Sequence, residues 1–143
     1  MLQGYLDQAQ RAIVRIELTS PKAATLRLEI DTGSQPQICI HEDLADQLGV
    51  VMSKGHRATF ADGKSRTVFA GAATVNWFGN PLDVEVLVWP RGKSPAAAPT
   101  SGQGRNRNVP DGLLGRSLLN STALSIDYVN RRVEISMPAS QGA

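Results

Sequence analysis

Apolar residues in this chain recur at every second position, in short runs that turn residues close off. Ile13-Val14-Arg15-Ile16-Glu17-Leu18 alternates and stops at Pro21-Lys22. Thr25 to Ile30 alternates again, with Leu26, Leu28 and Ile30 on one face. Leu82-Asp83-Val84-Glu85-Val86-Leu87-Val88 begins as an alternation and ends fully apolar. Period two is the repeat of a pleated strand, because successive side chains leave opposite faces. A chain built mostly of such runs closes its core by packing sheet on sheet, so the expected class is all-β. Aromatics make up only 5% of the residues, so that core must be aliphatic.

Shorter elements fill the pattern in. Gln37 to Ile40 predicts a brief strand. His41 to Gly49 predicts a short helix: acids occupy its first turn, Leu44 and Leu48 lie four apart, and Gly49 can end it in a left-handed cap. Arg57 to Phe60 and Arg66 to Val75 flank Ala61-Asp62-Gly63-Lys64, and Asp-Gly between two extended runs is a strong hairpin signal. Trp77 to Pro81 reads as a turn. Gly112-Leu113-Leu114-Gly115 reads as ordered chain, Arg116 to Leu119 as a helical turn, and Ala123 to Asp127 with Arg132 to Ser136 as a last hairpin. Between residues 90 and 110, Pro, Gly, Ser, Ala, Asn and basic residues dominate, which predicts a flexible insertion loop. A length of 143 residues suits one domain, expected over 12–136, with 1–11 and 137–143 as terminal segments.

Bulk chemistry excludes several classes. A net charge of +2 with pI near 9.0 is no nucleic-acid signature, and few aromatics are available to stack on bases. One cysteine, Cys39, rules out an internal disulfide and a cysteine-rich zinc site. No run approaches the roughly 18 apolar residues that span a bilayer, and no leader is visible. The expected setting is the cytoplasm, or a soluble domain of a larger, anchored protein.

The chemistry concentrates at Asp31-Thr32-Gly33-Ser34, where an apolar strand delivers a carboxylate into a tight turn. Asp-Thr-Gly is good turn chemistry in its own right. Here, though, an apolar strand precedes it, which would bury the acid rather than leave it in solvent. A water-activating carboxylate site needs two acids, and this chain supplies the arrangement once. Two copies, each giving Asp31, would complete it. Other groupings carry less. Ser34, His41 and an acid could be imagined as a triad, but His41 is accounted for as the start of a helix. Cys39 reads as a small core hydrophobe, and His56 has no evident partner. Gly102-Gln103-Gly104 lacks the lysine of a phosphate loop. Arg91, Lys93, Arg105 and Arg107 read as a solvated loop, the alternative being a nucleic-acid-associated barrel whose binding would fall steeply with salt.

The order of these features resembles the retropepsin-like aspartic peptidases, the single-domain family of retroviral proteases and their bacterial relatives. An apolar strand leads to Asp31-Thr32-Gly33. Leu48-Gly49 follows a short helix, Ala61-Asp62-Gly63 sits in a flap hairpin, Leu113-Leu114-Gly115 precedes another short helix, and Ile126-Asp127-Tyr128 lies in the last hairpin. The resemblance spans about residues 12 to 136. It implies a closed barrel of short, mainly antiparallel strands with a flap and one or two short helices. It implies a homodimeric aspartic endopeptidase acting on peptide or protein substrates, with Asp31 catalytic and no cofactor or metal. Thr32, Gly33, Ser34, Leu113, Leu114 and Gly115 would support the site, Thr32 bonding across to the partner chain and Ser34 reaching the outer oxygen of Asp31. Ala61, Asp62, Gly63 and Lys64 would form the flap tip. The family departs from this chain in having a shorter counterpart of the 90–110 loop and, in its viral members, interleaved terminal strands that this sequence does not show. The alternative is a non-catalytic module of the same fold that binds peptides or mediates dimerisation.

Overall fold

A computed structural model describes residues 1–53, 55–59, 62–90 and 109–138. Its elements run β1 (Leu2–Leu6), β2 (Ala12–Ser20), β3 (Ala24–Asp31), β4 (Ile38–His41), α1 (Glu42–Leu48), β5 (His56–Thr59) and β6 (Ser65–Trp77). They continue with β7 (Asn80–Trp89), β8 (Gly112–Gly115), α2 (Arg116–Leu119), β9 (Ala123–Asp127) and β10 (Arg132–Ser136). Six strands close on themselves in the order β2-β3-β8-β4-β7-β6, with β6 returning to the end of β2 at Leu18–Val75. The start of β2 also pairs with β1, which carries β10 and β9 beyond it.

Alternation decides which face each strand buries. Val14, Ile16 and Leu18 of β2 are almost wholly buried, with Arg15 and Glu17 exposed between them. Leu26 and Leu28 of β3 pair with Ile16 and Val14 and bury the same face. Ile38, Ile40, Val75, Val86, Val88 and Leu114 complete an aliphatic barrel core. Each such side chain contributes about 1.5–3 kcal/mol on leaving water. Helix α1 adds Leu44, Ala45 and Leu48 to it, and Gly49 ends the helix at φ 74°, bonding back to Ala45 and Asp46. The acids in its first turn, Glu42 and Asp43, oppose the positive end of the helix dipole.

Two features lie outside the sequence reading. Pairing is mostly antiparallel, but β3–β8 and β4–β7 are parallel. Residues 1–11, expected only as a terminal segment, contain β1. A glycine in mid-strand masks the alternation of Leu2-Gln3-Gly4-Tyr5-Leu6. It is there because β1 presses against β2, and a Cβ on Gly4 would run into the Ile13 carbonyl oxygen. A second layer forms where Leu6, Ala12 and Val133 pack with Ile30, Leu124 and Ile126. Among the described residues, no helix is long and apolar enough to cross a membrane.

Candidate active site

Asp31 is the last residue of β3, and the strand pairing continues to its end: Ile30 is in register with Leu114 and Asp31 with Gly115. Beyond it the chain turns at once. The Ser34 amide donates to the Asp31 carbonyl at 3.1 Å, and the Gly33 amide donates to Asp31 Oδ1 at 3.0 Å. An aspartate that accepts from the backbone two residues on forms its own turn, which holds the carboxylate in one orientation. Asp31 is partly exposed, while Thr32 and Gly33 lie open to solvent.

The turn is held from behind by β8 and α2. Gly115 donates to the Gln37 carbonyl at 2.9 Å, Arg116 to that of Ser34 at 2.7 Å, and Ser117 to that of Gln35 at 3.1 Å. The Ser117 hydroxyl bonds the same Gln35 carbonyl, and Gln37 Oε1 accepts from the Glu85 amide at 2.8 Å. Only glycine allows this approach, since a Cβ at 115 would strike the carbonyl oxygen of Pro36. Leu114 is fully buried in the barrel core, and Leu113, on the opposite face, joins Cys39, Val68, Leu87 and Trp89. The Leu-Leu-Gly run is thus a brace between the core and the back of the Asp31 turn.

Ser34 differs from its expected role. Its hydroxyl lies 3.9 Å from Cys39 Sγ, and the bond to the Asp31 carboxylate comes from Gly33 instead. Burial pushes the Cys39 thiol up to about 12, so it stays protonated at neutral pH and cannot serve as a nucleophile. His41 is buried and meets the Trp89 ring edge-on at 5.8 Å, with its pKa pushed down by burial. Ser34 and His41 are therefore bound into separate contacts. Among the described residues, no group of side chains is arranged to hold a metal ion.

At the flap, β5 and β6 pair from His56–Val68 to Thr59–Ser65. Asp62 accepts from the Lys64 amide at 2.9 Å and from Arg66 at 2.8 Å, contacts that hold its carboxyl below the usual range. Gly63 takes the left-handed conformation at φ 80°. Ala61, part of the expected tip, lies outside the described residues, as do Arg91, Lys93, Arg105, Arg107 and Gly102 to Gly104 in the 90–110 loop, and the tail 139–143.

Sequence reasoning missed the charges around the turn. Arg27, Glu29 and Asp31 share the outward face of β3, a relation the alternation of Leu26, Leu28 and Ile30 already implies. Ile13 is in register with Glu29. Arg11 pairs with Asp7 at 2.7 Å. Burial raises the Glu29 carboxyl above its ordinary value, with Arg11 opposing the shift and Asp31 and Asp7 adding to it. Asp111 was missed too. It is 2% exposed, accepts from the Arg27 amide at 2.8 Å, and its own amide donates to the Arg27 carbonyl at 2.7 Å. Arg27 also reaches the Val109 carbonyl at 3.0 Å. This clasp ties the entry to β8 onto β3, four residues before Asp31.

The six-strand barrel, the flap hairpin and the brace behind Asp31 define a retropepsin-like fold. No family model matches the chain, and no curated protein matches it. Among solved structures it is similar to EIAV protease complexed with the inhibitor HBY-793, with 14% sequence identity, a TM-score of 0.50, and coverage of 80% of this chain and 89% of that one. At that identity the likeness establishes the shared fold.

Proposed function

We propose that the chain is one half of an aspartic endopeptidase, completed when two copies bring their Asp31 carboxylates together across a two-fold axis. The observation that carries this reading is the position of Asp31. It ends a half-buried strand in a retropepsin-like barrel, oriented by the Gly33 amide and braced by Gly115, and it remains partly open to solvent. Identical subunits that share one site must place it on their symmetry axis.

The chemistry follows from the pairing. Two carboxylates about 3 Å apart cannot both ionise easily, so they share one proton. The ionised member takes a proton from a water held between them, and the protonated member hydrogen-bonds the peptide carbonyl. The water oxygen bonds to the carbonyl carbon as the protonated member passes its proton to the carbonyl oxygen, giving a tetrahedral diol. The carboxyl that took the water proton then gives it to the nitrogen, the other takes a proton back from the diol, and the C–N bond breaks to release the amine and a carboxylic acid, with no covalent enzyme intermediate. The apparent pKa values of this titration belong to the pair. Thr32, exposed beside Asp31, would bond across to the partner chain, and Gly33 would let the two backbones meet. An extended peptide would lie as an added strand under the flap of Asp62, Gly63 and Lys64, with Ala61, whose closure excludes water. The unit that does this would span residues 12–136, with β1 packed against it.

Asp31→Asn tests the reading directly. It should leave the melting temperature and the sedimentation of the dimer unchanged and abolish cleavage of a peptide library between acidic and neutral pH. Undiminished cleavage by this variant, or a wild-type chain that cleaves as a monomer, would refute it.

A further inference from the structure

A cavity of about 600 Å³ lies where the β1–β2 turn faces the start of β8. Its walls include Tyr5, Asp7, Arg11, Ile13, Arg27 and Arg131. One of these walls belongs to the same ladder as the site: Ile13 pairs with Glu29, two residues before Asp31. Paired strands lie roughly 5 Å apart, so the Ile13 wall stands one strand from Glu29, which precedes the Asp31 turn by two residues. Its volume suits a ligand the size of one or two amino-acid residues.

The charges sort themselves. Arg11 is paired with Asp7 at 2.7 Å and faces Glu29 as well, and Arg27 stands against buried Asp111. Arg131 differs. Held at φ 57°, it sends its guanidinium across to the β1–β2 turn, donating to the carbonyls of Leu6 and Asp7 at 2.8 Å and to Gln10 Oε1 at 3.3 Å. All three acceptors are neutral, and among the described residues no carboxylate lies within ion-pair distance of it. A guanidinium in a cavity wall with neutral partners only is a position from which a carboxylate can be recognised through a charge-assisted bond.

We infer that this cavity binds a carboxylate of the substrate, an acidic side chain or a free C-terminus, with Arg131 as its anchor. The inference rests on the peptidase reading for the word substrate, but binding is measured apart from catalysis. The Asp31→Asn protein is titrated by amide NMR with two matched probe pairs: N-acetyl-Ala-Ala with a free or amidated C-terminus, and N-acetyl-Ala-Glu-amide against N-acetyl-Ala-Gln-amide. In one pair the carboxylate form should bind about tenfold tighter, with shifts at Tyr5, Gln10 and Arg131; which pair responds identifies the source. Arg131→Met should remove the preference, and raising the salt from about 0.05 M to about 1 M should weaken it. Equal affinity within both pairs, or a preference unchanged by Arg131→Met, overturns the inference. Should Arg131→Met unfold the chain, the salt titration of the Asp31→Asn protein decides, and a preference that does not weaken overturns it. A wild-type chain that cleaves nothing while its carboxylate preference stands defeats the peptidase reading alone. A cleaving chain without that preference defeats the cavity inference alone.

Discussion

Replacing Gly115 by Ala perturbs the brace behind the Asp31 turn with a single methyl group. The added Cβ would strike the carbonyl oxygen of Pro36 and sit 2.8 Å from that of Ser34. Both are backbone atoms, so no side chain can swing aside, and either β8 or the 34–37 segment has to move. Overpacking of this kind costs about 1–3 kcal/mol. Retreat of the segment also stretches the bonds from Gly115 to Gln37, Arg116 to Ser34 and Ser117 to Gln35, each worth about 1 kcal/mol. A loss of roughly 2–5 kcal/mol is expected, against a total of about 5–15 kcal/mol for a typical folded chain. Urea unfolding should show it as a lower midpoint with an unchanged slope. Because Asp31 is in register with Gly115, the carboxylate moves with the brace, and peptide cleavage should fall more than the folded fraction does. Gly33→Ala is the comparison. Its Cβ would meet only Asp31 Oδ1, at 3.3 Å, so its stability cost should be well under half that of Gly115→Ala. A Gly115→Ala protein within about 0.5 kcal/mol of wild type, a range typical of neutral surface changes, would refute the claim that this glycine braces the site.

Two further changes probe the charges. Asp111→Ala removes the acceptor of the Arg27 amide from a position 2% exposed and leaves the Arg27 guanidinium without this partner; it should cost about 2–4 kcal/mol by thermal melting, and a change below about 0.5 kcal/mol would show that the clasp holds nothing. Burial, opposed by Arg11 and aided by Asp31 and Asp7, raises the Glu29 carboxyl of the folded chain above its ordinary value of 4.5. The folded chain therefore binds this proton more tightly than the unfolded chain, and stability declines as pH rises from 4.5 through the folded value. Glu29→Gln should flatten that part of the urea-midpoint profile and raise the midpoint at pH 7, whereas parallel profiles for the two proteins would contradict it.

What could be read locally was read well, for physical reasons. Alternation reports which face a strand buries, and Ile13 to Leu18, Leu26 to Ile30 and Leu82 to Val88 became β2, β3 and β7. Turn chemistry is equally local: Gly49 and Gly63 took positive φ where a cap and a hairpin tip required it, and the Asp31 turn closed on its own backbone. The likeness of motif order to the retropepsins anticipated the closed barrel. The contact of the Ser34 hydroxyl is not legible locally, because its partner is chosen by whatever the turn brings near it, here Cys39 Sγ.

The sequence alone, through period and turn residues, determined that this chain would make short strands around an aliphatic core and would present Asp31 at a strand end. Only the tertiary structure decided what stands behind and beside that aspartate. The parallel pairing of β3 with β8, the Asp111–Arg27 clasp and the reach of Arg131 to Leu6 join residues 82 to 125 positions apart. No local pattern encodes such contacts, because they are selected by closure of the barrel, when the core side chains of six strands must fill one volume together. Gly4 shows both levels at once: read locally it breaks a strand, and in the folded chain it is what lets β1 lie against β2.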